Sequence, residues 1–249
     1  MITSIGLRQS VNVAIHKIMP YGFGNILFMI AGVIGIATKK GYSYGFEAWN
    51  SQEYFCNPLP SLDQSVLKPF IMPSNYKNYD IGFLGFNMVP DNVAIHGYLG
   101  SEKYFKHCED LIRYYFTLKE MTVDEYQDCI IVQYRDYPSF ATGFARLDWN
   151  NYYKQAIKQF PDREIVVVTD NVKRAKEVIK LDCKYIHKTP IHDFYILSKA
   201  KYLIMANSTF SWWGAWLSRA QTVAPLNWYA GDWSDCPKKD LYCKEWRLI

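Results

Sequence analysis

The stretch from Asn207 to Trp216 combines small hydroxyl side chains with three tryptophans, residue types that together could bind an anion. It follows an apolar run typical of a buried strand and leads into bulky apolar residues at helical spacing. Free backbone N–H groups and hydroxyls at such a strand-to-helix junction can hold a phosphate without a metal. The candidate phosphate-binding residues are therefore Asn207, Ser208, Thr209, Phe210 and Ser211.

A simpler alternative for this stretch stays open. Ser208 or Ser211 could only cap the helix, and the tryptophans could belong to the core. Ser and Thr are common at helix starts for that reason alone. Charged residues elsewhere in the sequence therefore have to decide between anion binding and simple capping.

Two charged residues, Arg135 and Asp136, come just after a second strand-like run, Cys129 to Gln133. Ligands of doubly wound sheets bind at the carboxyl ends of the strands, and a guanidinium can bind two phosphate oxygens at once. Arg135 is therefore a candidate to stabilise charge on a leaving phosphate, or alternatively forms a surface ion pair with Asp136 or Asp128. Asp136 is the nearest candidate general base, although the cation beside it would make it a weaker one.

Further polar or small residues stand at two other strand-to-helix junctions. Asp170 closes the apolar run from 165 to 169, and it could accept hydrogen bonds from N–H or hydroxyl groups of a ligand, or cap the next helix. Gly22, Gly24 and Asn25 precede a long apolar run, where the Asn25 amide could reach a sugar or phosphate, or cap the helix.

The elements that must position these residues alternate between strand and helix. Strands are predicted at 129–133, 164–169, 183–187, 202–206 and 222–225, and helices at 149–160, 172–180, 191–199 and 211–219. Nearer the N-terminus we predict strands at 11–19 and 93–98 and helices from 25 and from 101 to 117. This rhythm predicts an α/β fold with doubly wound parallel sheets, in two Rossmann-like domains that face a cleft, 1–122 and 123–249.

Composition narrows the class of protein. The chain has 249 residues, 49% of them hydrophobic, which suffices for one large domain or two of about 120 residues. Its net charge of +4 suits a small anionic ligand better than nucleic acid, which usually needs a long basic stripe. We therefore expect no nucleic-acid partner.

We recognise no metal-binding motif, membrane-spanning run or signal peptide in the sequence. The six cysteines form no C-x-x-C pair and no D-x-D occurs, so we expect no metal and no cofactor beyond a donor substrate. The longest apolar run, from 26 to 38, is shorter than the roughly 20 residues of a membrane span. Polar residues interrupt any signal-peptide core, and reduced cysteines are typical of the cytoplasm, where we expect the protein to act.

Four stretches, in the same order, resemble the motifs of the α-1,2-fucosyltransferases, glycosyltransferase family 11. Residues 207–217 resemble N-S-T-F-S-W-W-x-A-x-L, and residues 22–28 resemble G-G-L-G-N-Q-M-F. Residues 97–105 are similar to G-Y-F-Q-S-E-K-Y-F, and residues 223–246 are similar to the closing Pro-x-x-Trp and Leu-Tyr-x-x-x-Trp pattern. One segment departs: where the family has H-x-R-R-x-D-Y, this chain has Gln133-Tyr134-Arg135-Asp136-Tyr137, which aligns Gln133 with the family His and Arg135 with the phosphate-binding Arg.

The resemblance implies a function. It implies a GT-B fold and a metal-independent, inverting transfer of L-fucose from GDP-fucose to a glycan or oligosaccharide hydroxyl. The hydroxyl would be the 2-OH of galactose, and the product an α-1,2 linkage. The first domain would lie on the acceptor side and the second would bind the nucleotide sugar. Two alternatives stay open: a related transferase that uses another nucleotide sugar, which the change at Gln133 permits, and a catalytically inactive carbohydrate-binding protein of the same fold.

Overall fold

The computed structural model describes residues 1–5, 22–62, 67–74, 77, 82–122, 126 and 128–249. The chain divides into two compact units. The first comprises Met1–Lys119 with Pro237–Cys243, and the second comprises Glu120–Cys236 with Lys244–Ile249. The short segment 237–243 thus belongs to the first unit, although the residues before and after it belong to the second. The predicted domains, 1–122 and 123–249, do not include this return of the chain.

The first unit contains a parallel sheet and two α-helices among its described residues. The strands are β1 (Ile2–Ser4), β2 (Lys68–Ile71) and β3 (Val93–His96), in the order β1-β3-β2, and the helices are α1 (Phe23–Lys40) and α2 (Glu109–Tyr115). The predicted strand at β3 and the predicted helix at α1 are confirmed. The strand predicted at 11–19 lies outside the described residues.

The helix predicted from 101 to 117 is instead three short pieces. Two 3₁₀ turns, Glu102–Tyr104 and Lys106–Cys108, lead into α2. Phe105 joins these two turns, and its backbone, at φ −131° and ψ 2°, is not helical. This residue therefore interrupts the helix before α2.

Helix α1 is the core helix of the first unit. Nearly every side chain from Ile26 to Ala37 is buried, and Gly35 lies so close to the backbone of Tyr104 that an added Cβ would stand 2.0 Å from its carbonyl oxygen. In the described part of the chain, α1 is also the one helix long and apolar enough to cross a membrane by length and composition. Its apolar side chains are already covered by protein, as those of a core helix are.

The second unit is built on a six-stranded parallel sheet. Its strands are β4 (Ile130–Tyr134), β5 (Ile165–Thr169), β6 (Lys184–Ile186), β7 (Tyr202–Ile204), β8 (Gln221–Ala224) and β9 (Arg247–Leu248). Their order across the sheet is β6-β5-β4-β7-β8-β9. If β4 is counted as the first, this order is 3-2-1-4-5-6, that of a Rossmann fold. The α/β class and the parallel, Rossmann-like sheet are therefore confirmed. Among the six described strands of this sheet, only the two-residue β9 was not predicted.

Helices cover the two faces of this sheet. They are α3 (Lys154–Ile157), α4 (Val172–Ile179), α5 (Pro190–Ser198) and α6 (Thr209–Ser218). Alternate residues of β4, namely Ile130, Val132 and Tyr134, pack in one cluster with side chains of α3 and α4. Because successive strand residues point to opposite faces, the residues between them face the other layer, where α5 and α6 pack against each other.

The helix predicted at 149–160 begins instead as a π-helical turn, Trp149–Tyr153, followed by α3. Asp148 caps this turn, because its carboxylate accepts hydrogen bonds from the backbone N–H groups of Asn150 and Asn151. The two adjacent tyrosines, Tyr152 and Tyr153, are both fully buried and donate hydrogen bonds to carbonyls at the ends of the sheet strands. The turn thus places both rings against the sheet.

Candidate functional site

The strand order changes direction between β4 and β7, and this switch point is where doubly wound sheets bind ligands. The chain leaves β4 into Arg135 and Asp136, leaves β5 into Asp170, and leaves β7 toward Asn207 and Ser208. Because these strands are parallel neighbours, their carboxyl ends meet at one edge. The fold thus brings together residues that are up to 73 positions apart, and we call them the switch-point site.

Arg135 and Asp170 form an ion pair in this site. Arg135 Nη1 donates to Asp170 Oδ2, and the other carboxylate oxygen accepts from the backbone N–H of Asp136 at 2.9 Å. The Arg135 side chain is 43% exposed, so solvent and an incoming anion can reach it. The two partners suggested by the sequence are not used, since Asp128 pairs with Lys201 instead.

Asp170 does not cap α4. That role falls to Asn171, whose side chain accepts from the backbone N–H of Arg174 at 3.1 Å. The Asn171 amide also donates to Asp136 Oδ2 at 2.8 Å. One residue thus starts the helix and orients the candidate base, a contribution the sequence analysis missed because Asn after a strand is an unremarkable cap.

Ser208 is the N-cap of α6, as the simpler alternative proposed. Its hydroxyl accepts from the backbone N–H of Phe210 at 3.3 Å. The Ser211 hydroxyl is fully buried and accepts from the N–H of Ala206 at 3.0 Å, so it ties the helix to the strand end. Ser208, Thr209 and Phe210 are partly exposed. A capping role and an anion site at the same helix N-terminus are compatible, since the dipole and the first-turn N–H groups remain.

Asn207 holds the neighbouring loop in place. Its buried amide donates to the carbonyls of Ala145 at 2.9 Å and Trp228 at 2.8 Å. The three tryptophans of the motif, Trp212, Trp213 and Trp216, are buried at 4% exposure or less and contact one another through their rings. These residues therefore belong to the scaffold of the site.

The loop after β4 is held by hydrogen bonds and aromatic contacts that the sequence did not reveal. The Arg146 guanidinium donates to the carbonyls of Tyr137 and Pro138, both at 2.7 Å. Tyr137 stacks on Phe144 at 4.7 Å and donates its hydroxyl to the Asn207 carbonyl at 2.5 Å. Burial raises the pKa of the Tyr137 phenol far above its usual value, although the nearby Arg135 opposes this, so the group stays a donor.

A buried carboxylate that the sequence analysis did not single out lies where β6 leads into α5. Asp193 accepts from the Lys188 backbone N–H at 3.1 Å and faces His187 Nδ1 at 3.2 Å. Burial raises the pKa of Asp193, and these two hydrogen bonds oppose that shift. The carboxylate braces the turn between strand and helix.

Gln133 is the last residue but one of β4 and is 4% exposed. Its amide nitrogen donates to the carbonyl of Tyr134 at 3.2 Å. Its backbone carbonyl accepts from the Tyr153 hydroxyl at 3.3 Å. Gln133 thus lies two residues before Arg135, near the end of the strand that leads into the switch-point site.

The remaining candidates are in the first unit. Gly22 is the N-cap of α1 and is exposed, and Gly24 and Asn25 follow in the first turn of the helix. The Asn25 backbone N–H donates to the carbonyl of Gly22 at 2.9 Å. Asn25 is therefore not the cap, and its predicted contact with a donor stays a prediction.

Comparison with known proteins agrees with the motifs. The family model described as Glycosyl transferase family 11 matches residues 39–249, a range that begins after Gly22, Gly24 and Asn25. The O-antigen biosynthesis glycosyltransferase WbnK of Escherichia coli is 35% identical over 33% of this chain and 32% of its own length. An Alpha-1,2-colitosyltransferase of Escherichia coli is 30% identical over 59% of this chain and 61% of its own length.

The matched regions therefore span about a third and about three fifths of these two relatives. The family model, by contrast, covers most of the sequence, and the motifs that carry the resemblance lie mainly within it. The resemblance is confirmed: the chain belongs to glycosyl transferase family 11.

Proposed function

We propose that the protein transfers L-fucose from GDP-fucose to a glycan hydroxyl, the 2-OH of galactose, with inversion to an α-1,2 linkage. The proposal includes a second Rossmann-like domain facing the nucleotide-binding one across a cleft, catalysis without metal, and action in the cytoplasm. One observation carries it: an exposed arginine and the N-terminus of a ten-residue helix converge at the switch point of a Rossmann-type sheet. Both features attract phosphate.

The chemistry explains why such a site suits this reaction. When the sugar leaves a nucleoside diphosphate, the β-phosphate gains negative charge while the sugar becomes oxocarbenium-like. Fixed donors that face this charge lower the barrier most. Arg135 and the first-turn N–H groups of α6, beside Ser208, are the donors that would meet the β-phosphate.

Phosphate binding has to compete with the ion pair between Arg135 and Asp170. That pair is exposed, and exposed pairs contribute roughly 0–1 kcal/mol, so a dianionic diphosphate can draw the guanidinium away at little cost. Asp170 would then accept from a ribose hydroxyl or guanine N–H. Asp136, held by Asn171, is the proposed base for the acceptor hydroxyl.

A second candidate donor follows from the relatives. One of them is named for transfer of colitose, a sugar that lacks one hydroxyl of fucose, and Gln133 departs from the family His beside the site. A family 11 enzyme that uses the 3-deoxy sugar is therefore the alternative. A catalytically inactive binding protein would bind GDP and release none from any donor.

Calorimetric titration of GDP and GMP tests where the β-phosphate binds. Without divalent metal, GDP should bind and GMP should bind more weakly, because only GDP carries the second phosphate. Ser208→Ala should lower the affinity for GDP more than that for GMP. Ser211→Ala serves as the control, since the buried hydroxyl supports the scaffold and its loss should affect both nucleotides alike. Equal losses of affinity for both nucleotides in Ser208→Ala would show that the β-phosphate does not bind at the N-terminus of α6.

A further inference from the structure

The side-chain oxygen of Gln133 lacks a hydrogen-bond partner. Among the described residues no donor reaches Gln133 Oε1, and the atom is shielded from solvent. Buried polar atoms are almost always paired, so an isolated one requires an explanation. A lone buried acceptor also costs stability in the ligand-free chain, which a scaffold residue would have no reason to carry.

The orientation of the amide is set by its neighbour. Gln133 Nε2 donates to the carbonyl of Tyr134, and turning the amide over would place two acceptor oxygens against each other. The unpaired atom is therefore the oxygen, and its missing partner is a donor.

The position of Gln133 connects this oxygen with the switch-point site. Ile130, Val132 and Tyr134 face the layer of α3 and α4, so Gln133 points to the opposite face, that of α5 and α6. Gln133 is the last residue of β4 on that face, because the strand ends at Tyr134. Arg135 follows directly beyond the strand end, so Gln133 lies two residues before it, where the strand leads into the switch-point site.

The chemistry of the acceptor excludes phosphate as its partner. Phosphate oxygens also accept, so they would repel Gln133 Oε1. In a nucleotide sugar, the groups bonded directly to the diphosphate are the ribose and the transferred sugar, and both carry hydroxyls that can donate. The base is one unit further from the phosphates.

We propose that Gln133 is a specificity-determining residue that accepts a hydrogen bond from a hydroxyl of the ribose or of the transferred sugar. This inference rests on the proposed function, because it presumes a nucleotide sugar at the switch-point site. To reach a ligand, the shielded oxygen requires a side-chain shift as the donor binds, and the new hydrogen bond to the ligand hydroxyl offsets the lost contact of Nε2 with the Tyr134 carbonyl. A donor that lacks this hydroxyl would leave the buried oxygen unpaired.

Binding of hydroxyl-deleted ligands tests the proposal. The probes are GDP with its 2′-deoxy and 3′-deoxy forms, and GDP-fucose with analogues that lack the 2-, 3- or 4-hydroxyl. Wild-type protein should bind one of the deoxy ligands about tenfold to a hundredfold more weakly than its parent. The nucleoside arm and the sugar arm then show which ring supplies the hydroxyl.

The variant Gln133→Met preserves the shape of the side chain and removes its acceptor. In this variant the same deoxy ligand and its parent should bind within about threefold of each other. Gln133→His provides a second variant, and thermal melting establishes that both are folded. If GDP binds wild-type protein but no deletion is penalised, or if the penalty persists in Gln133→Met, the inference about Gln133 is wrong while the proposed function stands. If GDP does not bind at all, both fall.

Discussion

At the scale of single residues, Arg135 carries the proposed catalytic charge. Arg135→Lys should lower kcat by at least about a hundredfold, the effect of removing one transition-state donor, because a lysine cannot bind two phosphate oxygens in one plane. The free energy of unfolding should change by less than about 0.5 kcal/mol, since the pair with Asp170 is exposed. Steady-state kinetics and urea denaturation measure the two quantities.

Arg163→Lys is the matched control for Arg135. Arg163 stands before β5, at the opposite edge of the same sheet, and its guanidinium lies over the ring of Tyr202 at 3.8 Å. This variant should keep its turnover. Near-normal turnover in Arg135→Lys would show that Arg135 forms only a surface ion pair with Asp170 and has no catalytic role.

Asn207 should matter to stability. Asn207→Ala leaves the carbonyls of Ala145 and Trp228 without their donor in a buried position, which we expect to cost about 2–4 kcal/mol. Ser208→Ala removes only a helix cap and should cost about 1 kcal/mol. Equal losses in urea denaturation would show that Asn207 does not hold the loop.

The sequence predicted which residues meet but not what each one does. Strand ends followed by Arg135, Asp170 and Ser208 can be recognised from residue types, because buried strands and turns have clear signatures. The different fates of two serines cannot: Ser208 remains partly exposed while Ser211 is covered by the strand end. The two serines are only three residues apart, and tertiary packing alone decides which of them is covered.

At the scale of elements, helices α5 and α6 pack at close range. A Cβ added to Gly214 would stand 2.6 Å from the Leu197 Cβ, an atom held by its own helix backbone. Gly214→Ala should therefore destabilise the protein by about 1–3 kcal/mol, although alanine is the better helix former. Gly100→Ala, whose added Cβ would meet nothing within 4 Å, is the control and should be nearly neutral. Stabilisation by Gly214→Ala would contradict the close approach.

Hydrophobic periodicity located most strands and helices of the second unit within two residues, since these elements are buried and regular. It missed the π-helical turn at Trp149–Tyr153, because two adjacent buried tyrosines look like an ordinary amphipathic helix in the sequence. It also missed β1, which is three residues long, and it gave no bounds for the four-residue β2, which lies in the stretch from 42 to 92 where loops and short strands were expected. Short strands bury too little to leave a periodic pattern.

At the scale of the whole molecule, the chain passes between its two units three times. Within the first unit the returning segment 237–243 is held by Asp240, which is buried, pairs with Lys103 at 2.5 Å and accepts from the N–H of Phe83 at 3.3 Å. Asp240→Ala should lower the free energy of unfolding by about 1–3 kcal/mol. Lys239→Ala, an exposed neighbour, is the control for urea denaturation and for proteolysis at this segment. Equal behaviour of both variants would show that the segment is not anchored there.

The central claim is that a nucleoside diphosphate sugar reacts at the switch-point site without metal. The direct measurement is GDP release from GDP-fucose, with and without a β-galactoside acceptor, in the presence of a chelator. The account predicts acceptor-dependent GDP release that the chelator leaves unchanged and that Arg135→Lys reduces at least about a hundredfold. Release that requires a divalent ion, or release from a UDP-sugar and not from any GDP-sugar, would contradict it.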